Sequence, residues 1–398
     1  MADRRRSLLL CIVLTLMLSG CWSSREIEDL ALYAGLALDS GQPAPGEKAF
    51  EAKGAQYGKR NRVLATIQVV PTKSVGTKDK KEHETQSPYT NLSGSGDSLL
   101  EIFRQFSIRL DRPVIGHHLK VIVISADLLK KQSIDQLADF VLRDNDIRPS
   151  TMVYVSEGMA KDALVSAKAN EIPAFHISAM LRNRSRTSKV LPHITLSRLD
   201  GWMHAKKSFV LQNVVTGNGE IMLSGAGIIK GSTGHWIGSL SQEDTQCLGW
   251  LRGEGKSGVI KTEDDNKEPL TYEILTIKSK ITPVIKGDDI GFRVKLASEG
   301  RLMELWSKEP TPSSHGFAEE MGGLLEKKLE RMMNTLMHKI QDEYKVDVAG
   351  FGDRLAVEHP KAWKRVKENW DEVFSKADIT FQYDVKIKGF GSFTEEGD

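Results

Sequence analysis

Eight apolar residues fix the shape of the last third of this chain. Phe317, Met321, Leu325, Leu329, Met332, Leu336, Ile340 and Tyr344 recur every three or four positions, which puts them on one stripe of an α-helix roughly seven turns long. A helix with a single apolar face has to be laid against something, and its neighbours in sequence supply a sheet. Residues 270–285 and 290–306 are long strand-like runs joined across Gly287-Asp288-Asp289, so they read as a hairpin. Ser313 and Ser314 stand where a cap for the long helix belongs. Beyond it come a turn at 346–352, a second helix over 361–374 led in by Pro360, and a last strand at 379–387. This succession predicts a C-terminal antiparallel sheet covered by a long helix.

The opposite end of the chain decides where such a body is held. Residues 8–18 are apolar except for Thr15 and follow Arg4, Arg5 and Arg6. The run is too short to span a bilayer, which takes about 20 apolar residues, and has the make-up of a secretory leader. It ends in Leu18-Ser19-Gly20-Cys21, which resembles the lipobox of bacterial lipoproteins. On that reading residues 1–20 are removed and Cys21 carries two acyl chains, enough for stable anchoring. Loss of the leader removes three Arg and one Asp, so 55 cationic and 53 acidic side chains become 52 and 52. A formally neutral body lacks the basic excess of a general nucleic-acid or anionic-lipid surface. Cys11 leaves with the leader and Cys21 is acylated, so Cys247 has no cysteine to pair with. Its neighbours Leu248 and Trp250 place it as a small hydrophobe in a core, and packing alone must hold the fold.

Between these ends, strands and helices alternate. Strands are expected at 30–39, 62–70, 119–125 and 151–156, and helices at 98–110, 134–143 and 160–168. The polar stretch 71–96 reads as a long loop. Helical patterns at 173–184 and 196–206 flank a basic, polar boundary at 183–189. Residues 209–215 and 221–229 meet at Asn218-Gly219, a strong hairpin signal. A further strand at 236–240 leads to Ser241, which opens a helix with Glu243 and Asp244 in its first turn. The expected architecture is α+β and multi-domain, with mixed β-sheets and helices packed on them. Its units are an N-terminal α/β domain (21–190), a small β-rich domain (191–265) and a C-terminal α+β domain (266–398).

Three clusters, taken together, resemble the Ger(x)C family, the lipoprotein C-subunits of spore nutrient-germinant receptors. The first is Gly20-Cys21-Trp22 with Arg25-Glu26-Ile27-Glu28-Asp29-Leu30 and the strand ending at Asp39. The second is His118-Leu119-Lys120-Val121, then Leu142-Arg143-Asp144 and Ile147-Arg148. The third is Val346-Asp347-Val348-Ala349-Gly350-Phe351-Gly352, then Pro360, Trp363 and Asn369-Trp370-Asp371. At Val348-Ala349 the family tends to carry a bulkier apolar pair. The resemblance implies a peripheral lipoprotein on the outer face of the spore's inner membrane. Its implied partners are integral-membrane A-type and B-type subunits that together respond to nutrients.

No catalytic, metal or cofactor motif accompanies these clusters. A Gly-x-Ser-x-Gly elbow, a Walker loop, a His-Glu-x-x-His helix and paired zinc cysteines are all missing. Gly94-Ser95-Gly96 lacks the third glycine and the Lys-Ser/Thr of a phosphate cradle. His117 and His118, adjacent on a strand, would face opposite ways. Asp347 is a single carboxylate beside glycines, which suits a helix C-cap and turn better than a hard cation. Trp363 and Trp370 are seven apart on one face, either buried on the sheet or, with Trp22, anchors for a partner. With no such motif found, the resemblance implies a non-enzymatic receptor subunit. The alternatives are a solute-binding lipoprotein of a transporter, built from two similar lobes that this chain does not repeat, and a surface hydrolase, which needs a nucleophile and base or a metal.

Overall fold

A computed structural model describes residues 30–43, 46–55, 62–71, 87–255, 257–264, 266–306 and 316–390. The leader, Cys21, Trp22, the 25–29 match, residues 72–86 of the polar stretch, and Ser313 and Ser314 lie outside the described residues.

The strands form two sheets. The first contains β1 (Ala31–Ser40), β2 (Val63–Val70), β3 (Thr90–Gly96), β4 (Val114–Ile115), β5 (Val121–Ser125), β6 (Met152–Ser156), β7 (Phe209–Gly217), β8 (Glu220–Ile229) and β9 (Trp236–Leu240). They lie in the order β3-β2-β1-β5-β6-β7-β8-β9, with β4 beside β1. β1, β5 and β6 are parallel, each reached through intervening helix, whereas β1–β2 and β7–β8 are antiparallel. β7 meets β6 through Val155↔Asn213, so strands from both sides of residue 190 share this sheet. One face buries Tyr33, Leu36, Leu38, Ile122, Ile124 and Val155. The other buries Ala34, Ala37, Val121, Val123 and Tyr154 under the helix Pro173–Met180 and the 3-10 turn Ala160–Leu164.

β3 is the main departure in this half, because it falls in the stretch 71–96 expected to be a loop. Its sequence, TNLSGSG, carries almost no apolar signal, yet it pairs with β2 over Val63↔Gly96 to Val69↔Thr90. The glycines let the helix Leu99–Ser107 come close: a Cβ on Gly94 would sit 3.0 Å from both Ile102 and Phe106. That helix starts at Ser98, whose Oγ accepts the Glu101 N–H, and buries Leu99, Ile102, Phe103 and Phe106 as its spacing requires. The expected helix 160–168 shrinks to the 3-10 turn Ala160–Leu164. There Asp39 accepts the N–H groups of Ala160 (2.6 Å) and Lys161 (3.0 Å) from the end of β1.

The second sheet is β10 (Gly258–Glu263), β11 (Pro269–Lys286), β12 (Asp289–Leu305) and β13 (Ile379–Ile387) in sequence order. β10, β11 and β12 are antiparallel, while β13 lies parallel to β12. The helices between β12 and β13 carry the chain back to the starting end of β12, and the last strand then runs the same way. The long helix, Phe317–Met337, buries Phe317, Met321, Leu325, Leu329, Met332 and Leu336. It closes in a π-helical turn, His338–Glu343, that buries Ile340. One core joins this helix and sheet to Val210, Ala226 and Ile228 of the first sheet and to Cys247, Leu248 and Trp250 of the helix Gln242–Leu251.

An ion pair fastens these last two helices together. Ser241 and Asp244 form a capping box, with Ser241 N–H to Asp244 Oδ2 at 2.8 Å and Asp244 N–H to Ser241 Oγ at 3.1 Å. Lys339 Nζ donates to the same Oδ2 at 2.5 Å, and the Asp244 side chain is 3% exposed. Burial pushes the carboxyl up, but the Lys339 and Ser241 donors outweigh it and hold it below its ordinary value. A depressed carboxylate contributes stability above its unfolded pKa and loses it as pH falls through the folded one. Asp244→Asn is therefore expected to lower unfolding free energy by about 2 kcal/mol at neutral pH. The gap should narrow steadily in denaturant titrations taken to acid pH, and an undiminished gap would contradict the assignment.

A tryptophan-lined groove as the candidate functional site

The turn 346–352 is wired around one carboxylate. Asp347 Oδ1 accepts the N–H groups of Ala349 (3.1 Å), Gly350 (2.8 Å) and Phe351 (3.2 Å). Its Oδ2 accepts Gly352 N–H (2.7 Å) and the indole N–H of Trp370 (3.0 Å). These are charge-assisted bonds, and most go to N–H groups that the start of a helix leaves without intrahelical partners. Asp347 thus heads a helix, Phe351–Glu358, rather than capping the C-terminal end of one as the sequence suggests, because the glycines after it leave N–H groups free to point at its carboxylate. That helix was hidden because Phe351 and Leu355 are its only large buried apolar residues. Gly350 has φ 90°, open to glycine at little cost. At Gly352 a Cβ would stand 2.7 Å from Trp370 Nε1 and 3.1 Å from the Trp363 ring, so the indoles exclude any larger residue.

The other side of the turn is held by Arg252, whose Nε and Nη2 donate to Val348 O at 2.9 and 2.5 Å. Arg252 follows the helix Gln242–Leu251, so this contact ties the middle of the chain to its last third. Trp363 and Trp370 lie on separate pieces, Pro360–Val366 and Trp370–Lys376, with a 3-10 turn at Lys367–Asn369 replacing the expected single helix. The break brings their rings edge to face, 5.3 Å apart, and both remain half-buried.

Across from them the helix Leu196–His204 contributes Trp202, stacked 5.2 Å from Phe209 and covered by the Arg198 guanidinium at 4.8 Å. Between these walls runs an open groove of about 1370 Å³. Small-molecule pockets usually hold roughly 300–1,000 Å³, so this one has room for a stretch of polypeptide. Its carboxylates are mostly matched from within. Asp347 takes the five N–H donors, Asp353 pairs with Lys207, Glu254 with Arg198, Glu368 with Lys367 and Glu372 with Lys376. Burial holds the Asp371 carboxyl above its ordinary value, and Lys230 draws it part of the way back. Lys206, Lys345 and Arg354 make no ion pair among the described residues, which leaves the groove with a cationic excess. Lys206 and Lys345 are also in the left-handed region, at φ 49° and 52°.

The sequence reading singled out Trp363, Trp370 and Asp347, and the structure brings all three together. It missed Trp202, Arg252, Lys206 and Lys345. Only the Arg198/Trp202 spacing of four on a helix offered a local hint. Gly94-Ser95-Gly96 lies in β3, where Ser95 donates its N–H (2.8 Å) and hydroxyl (2.6 Å) to Glu47. His117 and His118 occupy a turn rather than a strand, with His117 Nε2 3.8 Å from Asp146. Burial, with Arg148 and Lys120 adding to it, lowers the His118 pKa. Cys247 is fully buried, and burial pushes its thiol up. Among the described residues no group of three His, Cys, Asp or Glu is placed to hold a metal ion. Among the same residues no helix is long and apolar enough to cross a membrane.

Comparison with known proteins gives concordant matches over both halves. Residues 23–216 match the model described as spore germination protein N-terminal domain, and residues 224–391 that described as spore germination B3/GerAC like, C-terminal. Spore germination protein YndF of Bacillus subtilis is 40% identical over 391 residues, covering 97% of this chain and 96% of that one. Spore germination protein B3 of the same organism is 30% identical over 380 residues, 95% and 96% of the two chains. The crystal structure of the GerBC protein superposes with a TM-score of 0.59 at 29% identity, covering 82% of this chain and 93% of that one.

Removing the charge that organises the turn tests its role. Asp347→Asn is expected to lower unfolding free energy by about 3 kcal/mol, measured by denaturant titration. It should also shift tryptophan emission, because Trp370 loses its hydrogen-bond acceptor. A loss within about 0.5 kcal/mol, the range of an ordinary surface substitution, would contradict it.

Proposed function

The chain belongs to the GerAC-like family of spore germination proteins, and on that premise we propose that it is the lipoprotein subunit of a spore nutrient-germinant receptor. In this reading acyl chains on Cys21 hold the body at the outer face of the spore's inner membrane. The body has no catalytic role and acts through contacts with integral-membrane A-type and B-type subunits. The observation that carries the proposal is the match to both family models over nearly the whole chain. The groove supports it with a surface suited to a partner: half-buried Trp202, Trp363 and Trp370 are the residue type that anchors interfaces, beside cations unmatched from within. Trp22, next to Cys21 in the sequence, is the third partner contact expected from the sequence.

Two experiments separate the parts of this reading. Cys21→Ala is expected to move the protein out of the membrane fraction and to abolish the nutrient response through this receptor. Retention at the membrane with a normal response would sink the anchoring. Lys206→Glu/Lys345→Glu changes exposed groove charges without touching the core. It is expected to keep membrane retention while weakening co-purification with the membrane subunits about tenfold, as loss of electrostatic complementarity does. Undiminished co-purification would remove the groove from the interface.

A further inference from the structure

The C-terminal sheet has a second face, opposite the one that carries the core. Along the hairpin half of β11 and β12, Ile277, Ile281, Val294 and Leu296 point inward and are buried, so the alternate residues Lys278, Lys280, Arg293 and Lys295 point out and are exposed. The register places Lys280 directly opposite Lys295, while Lys278 faces Ala297 and Arg293 faces Thr282. Like charges directly opposed across a strand pair destabilise it. None of the four cations makes an ion pair among the described residues. Of the acids around the patch, Glu299 pairs with Lys388 at 3.6 Å and Asp384 with Lys386 at 3.9 Å, while exposed Asp378, two residues before the Thr380 that faces Arg293, pairs with none of the four. Adjacent strands lie about 4.8 Å apart and alternate residues about 7 Å, so each of the four charges falls within roughly a Debye length of at least two others.

Such a patch fits one class of surface. It is an exposed sheet face, and none of its four cations lines the groove. Its central outward neighbours Thr282, Thr380 and Gln382 are polar, and the aliphatic side chains beside it, Val284 and exposed Leu275, stand at its two ends, so the centre lacks the anchor that a protein interface needs. Attraction of clustered lysines and arginines to a sheet of phosphate headgroups needs no such anchor. We propose that the outer face of β11 and β12 docks on anionic phospholipid, orienting the body on the bilayer and adding an electrostatic contact to the lipid anchor. It rests on the reading that the chain is held at a membrane, but the contact itself requires no acyl group.

The test uses the chain from residue 21 onward carrying Cys21→Ser, sedimented with vesicles of phosphatidylcholine alone or mixed with phosphatidylglycerol. Binding is expected only to the mixed vesicles and should be released by salt. Lys280→Glu/Arg293→Glu should weaken it about 100-fold or more. Lys280→Glu alone should weaken it while leaving the unfolding midpoint unchanged or raised, because an acid then faces Lys295; that result excludes misfolding as the cause. Failure to bind the mixed vesicles, equal binding to both kinds, or binding untouched by the double substitution would overturn the proposal. None of these outcomes bears on acylation of Cys21, which the fractionation experiment tests separately.

Discussion

A single carboxylate holds the last third of this protein in register with the rest. Asp347 takes four backbone N–H groups and one indole, and in doing so starts a helix, closes a turn and fixes the height of Trp370 above Gly352. Each bond is ordinary. Their convergence on one charged group makes the turn an all-or-none structure, because loss of the acceptor strands several donors at once. Arg252 completes the clamp from the other side through Val348 O. The backbone of 346–352 is thereby fixed at the point where the middle of the chain meets its end.

The groove follows from that clamp. Its walls come from elements that share a core but belong to different stretches of sequence: Leu196–His204 on one side, and Phe351–Glu358 with the Trp363 and Trp370 helices on the other. A continuous apolar cluster running from Val210 and Ile228 through Trp250 to Leu325 and Phe374 keeps the two walls at a set spacing. The Asp244–Lys339 pair adds a polar lock on the same framework. The groove is therefore built on helices anchored in a packed core, the arrangement that holds a surface in place.

What the sequence disclosed depended on how far the signal had to travel. The stripe from Phe317 to Ile340 was plain because a long helix repeats its apolar position many times. The hairpin at Asn218-Gly219 and the cap at Ser241 were plain because a local backbone geometry demands particular residues. β3 was not, since its glycines and serines are dictated by Ile102 and Phe106 packing against it rather than by a strand pattern of its own. The break at Lys367–Asn369 was masked by apolar residues that continue at helical spacing across it. The parallel entry of β13 depends on the route of the intervening helices. The groove itself was the least legible feature: Trp202 and Trp370 meet only through tertiary structure, and a residue such as Lys345 acquires meaning from what stands opposite.

Native-state hydrogen exchange of the Gly350 and Gly352 amides tests this account most directly. If the Asp347 carboxylate is what holds the turn, both amides exchange only through global unfolding, with protection equal to that of amides in the centre of the long helix and falling in parallel with them in denaturant. Exchange of these two glycines by a local opening of much lower free energy, while the long helix stays protected, would contradict it.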